Sequence, residues 1–472
     1  MRLNPQIPID PSGLPTTRPA RVDARDVQPL RQAQANPRAE LAWRMQRTGQ
    51  WLPGQTAGRR WGVACVSLEI TQRCNLDCTL CYLSESSEAV RDFPLEEVYR
   101  RIDLVLAHYG PGTDVQVSGG EPTLRPRDEL IAIVQRITQR GLRASLFTNG
   151  ILASRALLQD LAVAGLCEVA FHVDLSQQRT GYRSEADLNA LRLDYIARAG
   201  GLKIGVFFNT TVFDGNRAEI PMLAAFFVAQ AGAVRFASFQ LQADTGRGVL
   251  GARGPAIDQA GVAAALQRGT GAALSFNVLS AGHQACNQNT VLLLINGRAY
   301  DAFADRAFIQ RFMRETAGLR IDRHTPGQGL RSLAAALLQR PGLLAATAAW
   351  LLGFGWGARG DLWAARGRVG KLTFFTHNFM DACQLDTDRV DACVFMAMTQ
   401  DGPLSMCAYN AQRDNYLLRP LQTSQGPWQP LREGHTDVPT FPIKWLKGRP
   451  RAAALHERKT ERHATTTLSR TP

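Results

Sequence analysis

Three thiols stand within eight residues of one another: Cys74, Cys78 and Cys81, spaced C-x3-C-x2-C. They are too close together and too few for a disulfide framework, and thiolates grouped in this way are metal or cluster ligands. Their number narrows the choice. A structural zinc site closes with four ligands, whereas a catalytic site leaves one position open. A 4Fe-4S cluster held by three cysteines likewise leaves one iron free for a group that is not protein. The competing reading is three small buried thiols packed as apolar side chains.

An open position needs neighbours that hold whatever fills it, and two segments supply them. Residues 115–124, VQVSGGEPTL, carry an apolar run into Gly119-Gly120-Glu121-Pro122. Glycine lets the backbone approach a ligand closely, and Glu121 offers a carboxylate to an ammonium group in a charge-assisted hydrogen bond. Residues 144–150, ASLFTNG, end another run at Asn149. The cysteine loop itself follows the run CVSLEIT at 65–71, so three strand ends converge.

Taken together these motifs resemble the radical S-adenosylmethionine (SAM) superfamily. The resemblance implies that Cys74, Cys78 and Cys81 hold a catalytic 4Fe-4S cluster whose fourth iron is chelated by SAM. It places Gly119, Gly120, Glu121 and Pro122 against the methionine end, with Glu121 accepting from the ammonium, and Asn149 at the border of the same site. It further implies one-electron cleavage of SAM to a 5′-deoxyadenosyl radical that takes hydrogen from an unactivated carbon, while the protein binds, orients and excludes water. The sequence departs from the family pattern at Leu80, where an aromatic residue is usual. Tyr82, just after Cys81, is the side chain left to pack against the cofactor.

The elements that must position these residues are legible as alternation. β-rich runs at 66–71, 114–118, 143–148, 168–174, 204–211 and 234–241 are separated by helix-like segments at 95–108, 127–140, 154–164, 185–199 and 217–231. Repeating βα units argue for a parallel sheet with helices outside. Six strands predict an α/β fold, a partial (β/α)6 TIM-like barrel over residues 61–250, which is also the fold that the resemblance implies. Chemistry in barrels sits at the C-terminal strand ends, where the cysteine loop, Glu121, Asn149, Asp174, Asn209 and Gln240 fall. Asp174 and Asn209 are expected to contact cofactor or substrate; the alternative for each, and for His172, is a cap or turn. Cys65 and Cys167, inside apolar runs, are expected in the core.

Beyond residue 250 the alternation stops, and a mostly helical extension is expected over 251–443. Cys286, Cys383, Cys393 and Cys407 lie there. Four thiols can complete an auxiliary cluster, although their spacing matches no compact pattern and unliganded core cysteines are the alternative. Residues 376–414 are similar to the C-terminal region of radical SAM proteins related to the archaeal tetraether-lipid synthases, where FMD precedes ACV, a DG turn and a cysteine followed by Asn. That likeness implies a second 4Fe-4S cluster with Cys393 and Cys407 as its first-choice ligands, then Cys286, then Cys383. Residues 342–358 carry no charge and lie between Arg340 and Arg359. They are at the short limit for a membrane span, which leaves a hairpin packed on the barrel or an apolar, membrane-facing wall.

At 472 residues, 45% hydrophobic and 20% charged, the chain has an ordinary globular balance. Its net charge of +13 gathers in the leader and lead-in segment, residues 1–60, and in a basic tail at 444–472 expected to be disordered. The body carries no basic stripe, which argues against a nucleic-acid partner. No apolar core of a secretory signal opens the sequence, and oxygen-sensitive clusters fit the cytoplasm, with peripheral membrane contact as an option. The expected partners are a small-molecule or lipid substrate and an electron donor such as flavodoxin or ferredoxin. A peptide or protein substrate is the alternative. A non-catalytic iron-sulfur module is the third reading, and an open iron argues against it.

Overall fold

The computed structural model describes residues 21–248, 250–251, 253–319 and 326–432. The first twenty residues of the expected leader and the whole basic tail at 444–472 lie outside the described residues. A two-residue strand β1 (Arg21–Val22) and helix α1 (Pro37–Arg47) precede six βα units. These are β2 (Cys65–Thr71) with α2 (Leu95–Tyr109), β3 (Asp114–Gly119) with α3 (Arg127–Gln139), and β4 (Arg143–Thr148) with α4 (Arg155–Val163). They continue with β5 (Leu166–His172) and α5 (Leu188–Ala199), β6 (Gly205–Val212) and α6 (Ile220–Ala229), and β7 (Val234–Leu241) and α7 (Gln259–Thr270). Strands β2 to β7 pair in sequence order and are all parallel, the expected partial barrel.

The period of two along each strand divides its side chains between two environments. Val66, Leu68, Val115, Val117, Leu146, Val169, Phe171, Phe208 and Phe239 are fully buried in the main core. The helices present matching stripes, such as Val98, Ile102 and Val105 on α2 and Leu130, Ile133, Val134 and Ile137 on α3. The alternate set, among them Ser67, Gln116, Ser145, Asn209 and Ser238, lines a cavity on the other face. One face of the sheet therefore holds the fold together and the other is free for chemistry.

The extension contributes strands as well as the expected helices. β8 (Asn287–Ile295) and β9 (Arg298–Asp301) lie beyond β10 (Gly370–Asn378), which runs parallel to β7. On the opposite edge β12 (Phe395–Thr399) runs parallel to β2, with β13 (Gly402–Ser405) antiparallel outside it. β11 (Leu385–Asp386) pairs with β1. Between β9 and β10 stand α8 (Arg306–Glu315), α9 (Pro326–Leu338), α10 (Pro341–Gly357) and α11 (Arg359–Ala364). Leu41 and Met45 of α1 pack with Ala392 and Val394, so the lead-in segment is docked on the chain's C-terminal part.

Candidate active site

Strand β2 is buried along its whole length and delivers the cysteine loop to the rim. Cys74, Cys78 and Cys81 all line the cavity, whose volume is about 450 Å³. The loop is held mainly through its backbone. Gly120 N donates to Thr71 O at 2.9 Å and Glu121 N to Arg73 O at 2.8 Å, while Arg73 is ion-paired to Asp92. A Cβ on Gly119 would sit 2.0 Å from Thr71 O, and one on Gly120 would sit 2.1 Å from Arg73 O. The glycines are thus required where β3 passes under the cysteine loop, a protein–protein approach where the sequence suggested one to a ligand.

A second clamp comes from residues the sequence reading passed over. After β7, Arg247 N donates to Leu83 O at 2.7 Å and Gly248 N to Cys81 O at 3.0 Å. Gly246 has φ +52°, and a Cβ there would lie 2.2 Å from the Tyr82 carbonyl carbon. Arg247 is buried, bonded to Ser87 Oγ at 3.0 Å and Glu88 Oε1 at 2.7 Å, and Nε and Nη2 make no hydrogen bond. Burial works against its charge, yet the Cys81 thiol, Glu88 and Asp77 hold its pKa above the ordinary value. The signal available in the sequence was the pair of glycines in TGRG, directly beyond a strand end.

Tyr82, Gly119, Gly120, Asn149 and Asn209 line the cavity. The Tyr82 hydroxyl donates to Gly119 O at 2.6 Å, and Asn149 Nδ2 donates to Asn75 Oδ1 at 2.6 Å. Three expected contacts do not reach the cavity wall. Glu121 is fully buried and accepts from Thr123 N, Thr123 Oγ1, Thr148 Oγ1 and Asn149 N at 2.5–3.0 Å. It braces the end of β3 against the end of β4. Burial pushes its pKa up, against the lowering effect of those bonds. Pro122 is the buried first residue of a short 3-10 turn. Asp174 is wholly buried, accepting from Ser176 N at 2.9 Å and Thr211 N at 2.7 Å and pairing with His172 Nε2 at 2.7 Å. The cap reading holds for Asp174, and His172, which it orients, is the residue on the cavity wall.

Replacing Glu121 by Ala strands four donors, so the expected result is a loss of about 2–4 kcal/mol in stability with weaker SAM binding as a consequence. Thermal melting without SAM, set beside a SAM titration, checks this. A loss of affinity at unchanged melting temperature would return Glu121 to direct ligand contact.

The C-terminal segment closes the site from the other side. At the end of β2, buried Glu69 is ion-paired with buried Arg413 and accepts from Tyr409 Oη and Gln72 Nε2, both at 2.9 Å. The Arg413 guanidinium also lies over the rings of Tyr82 and Tyr409, at 4.9 and 4.5 Å. Nearby, Cys286, Cys393 and Cys407 line one small cavity of about 20 Å³, together with Arg389. Arg389 Nε lies 3.3 Å from Cys286 Sγ. Burial pushes the Cys407 thiol up to about 12, with Cys393 and Cys286 adding to the effect. Cys383 does not join them: it is exposed, on the turn before β11. Cys65 is buried as expected but also borders the larger cavity.

The residues fit a cluster with one open iron and a SAM ligand. Three thiols share one wall, and beside Cys81 a buried guanidinium, ion-paired to Glu88 and, through Nη2, to Asp77, keeps its Nε–H without a hydrogen-bond partner. Among the described residues no three His, Cys, Asp or Glu side chains are grouped to hold a single metal ion. A cubane, whose ligated corners are farther apart, asks for wider spacing.

Residues 68–227 match the family model of the Radical SAM superfamily, and this part of the chain is a radical SAM domain. The chain is 34% identical over 125 residues to the PqqA peptide cyclase of Bradyrhizobium diazoefficiens, covering 25% of this chain and 32% of that protein. It is 31% identical over 159 residues to the Fe-coproporphyrin III synthase of Methanosarcina barkeri, covering 33% and 38%. To the GTP 3',8-cyclase of Streptomyces coelicolor it is 33% identical over 178 residues, covering 36% and 51%. The chain therefore spans about a third to a half of the length of these relatives.

Proposed function

We propose that this chain is a radical SAM enzyme that modifies an unactivated carbon of its substrate. The observation that carries the reading is the set Cys74, Cys78 and Cys81 on the wall of a cavity large enough for a cofactor and a substrate portion. When bound, the cluster and SAM supply a one-electron reductive cleavage that yields a 5′-deoxyadenosyl radical. The chain's own part is positional. The three thiolates ligate iron, the backbone at Gly119 and Gly120 with Tyr82 and Asn149 holds SAM, and Asn209 and His172 face the space left over. Arg247 offsets the negative charge of the cluster in a buried setting, where such a charge is otherwise costly.

The favoured substrate is hydrophobic and lipid-like. The support for this reading is the apolar lining: Phe147, Phe207, Phe236, Phe375, Phe379 and Phe395 all border the cavity. A peptide is the second reading, favoured by relatives named for peptide cyclisation. Cys286, Cys393 and Cys407 hold a second 4Fe-4S cluster in this proposal; His377, Phe379, Phe395 and Met406 border both cavities, so that cluster would stand one side chain away from the substrate space. The setting is cytoplasmic, with an electron donor of the flavodoxin or ferredoxin class.

The test is anaerobic reconstitution with iron and sulfide, reduction with dithionite, and chromatographic assay of 5′-deoxyadenosine. Formation of the product is expected, rising when the true substrate class is added from lipid or peptide fractions. Reconstituted protein that binds iron and leaves SAM intact would end the reading.

A further inference from the structure

Helix α10 is apolar on every side, and a helix of that kind is ordinarily enclosed by protein or by lipid. Here one side is enclosed. Trp350 stacks on Phe308 of α8 and on Phe354, with ring centroids 5.5 and 5.6 Å apart, and Phe354 meets Tyr300 of β9 edge-on. Leu343 is the one fully covered residue of its seventeen. The other side is bare: Leu352 is 74% exposed and Trp356 72%, with Leu344 and Leu351 beside them. The neighbouring elements continue the surface, through Leu330 and Leu338 on α9 and Trp363, 88% exposed, on α11. Exposed apolar surface of this extent marks an interaction site.

Charge decides what covers it. From Pro326 to Lys371 the sequence has six Arg or Lys and a single acid, Asp361. Asp361 is already engaged by Tyr300, Asn296 and Arg298. Arg331, Arg340, Arg359, Arg366 and Arg368 are all exposed, so the apolar face is fringed by cations. Two copies meeting through this face would bring like-charged fringes together. A surface of anionic headgroups over hydrocarbon complements both parts of it, with Trp356 and Trp363 of the type that sits at the membrane–water boundary.

We propose that α9, α10 and α11 form a docking surface for an anionic lipid bilayer, lying in its interface without crossing it. Seventeen residues make a helix of about 25 Å, short of the roughly 30 Å hydrocarbon core. The pair α9 and α10 is bent by 118° at Pro341, and no single helix among the described residues is long and apolar enough to cross a membrane. The proposal is independent of which substrate the cavity takes.

The test uses the full chain and co-sedimentation with vesicles of mixed phosphatidylcholine and phosphatidylglycerol, against vesicles of phosphatidylcholine alone. Wild-type protein is expected to pellet with the anionic vesicles and to be released by salt. The double variant Leu352→Glu/Trp356→Glu is expected to lose ~tenfold or more in binding, and Arg359→Glu/Arg366→Glu to lose roughly fivefold per side chain on anionic vesicles alone. All four residues are exposed, so melting temperature and iron content should not move. Absence of binding to either vesicle overturns the proposal, as does binding that the Leu352→Glu/Trp356→Glu variant retains. A wild-type dimer that the same variant converts to monomer overturns it too, and assigns the face to a second copy.

Discussion

A variant with Cys74, Cys78 and Cys81 all replaced by Ala forms no 5′-deoxyadenosine and keeps its fold. The loss follows from chemistry: three ligands leave together, and no other thiol lies within the loop. The retained fold follows from how the loop is held. Its anchors are backbone bonds from Gly120, Glu121, Arg247 and Gly248, which do not involve sulfur, and the Leu76 N to Cys74 Sγ contact is a long one at 3.4 Å. Each truncation removes a single sulfur from a site that is partly exposed or at the rim of a cavity, at a cost on the order of 1 kcal/mol or less. Circular dichroism and melting should therefore resemble wild type while the product assay falls to background. Product formed at the wild-type rate by this variant would exclude the radical SAM mechanism at this site.

What the sequence made legible was local. β4 and β7 occupy the expected residues, 143–148 and 234–241, because each is a short apolar run bounded by turn residues, all within about ten positions. The cysteine spacing and Gly119-Gly120 are equally local. What stayed hidden depends on distant segments meeting. Glu69 reads as one acid in an apolar strand until Arg413, 344 residues away, is seen to pair with it. Arg247 looks like any loop arginine until its segment zips onto the cysteine loop. The Gly-Gly-Glu-Pro motif points Glu121 at a ligand, and a strand-end place does the same for Asp174, but both positions also face the next strand, and there both carboxylates are taken up by backbone and side-chain donors. His172 shows the converse: its neighbour's cap turns an ordinary-looking histidine toward the cavity. The uncharged apolar stretch at 342–358 implies a helix, and α10 runs over Pro341–Gly357, while its exposure comes from what α8 leaves uncovered.

The same convergence decides the second cluster, where the expected result is an iron count. Wild-type protein reconstituted under anaerobic conditions should hold about eight irons, because each cubane contains four, and the Cys74/Cys78/Cys81 triple variant about four. The physical requirement is that thiols from three segments meet. Cys286 comes from the loop before β8, Cys393 from the turn between α12 (Thr387–Asp391) and β12, and Cys407 from α13 (Met406–Ala411), and all three line one cavity. Burial raises the pKa of Cys286 and Cys407, so empty thiols there stay protonated at neutral pH; metal binding replaces those protons, and the Arg389 guanidinium against Cys286 favours the charge that results. In the triple-variant background, adding Cys286→Ala, Cys393→Ala or Cys407→Ala should each remove the remaining iron and its reduced-state paramagnetic signal. Adding Cys383→Ala should leave both in place, since that thiol faces solvent. Melting curves separate ligand loss from unfolding. A triple variant with no iron, or one whose iron depends on Cys383 as much as on Cys407, would make these three cysteines packing residues of the C-terminal segment and leave the enzyme with one cluster.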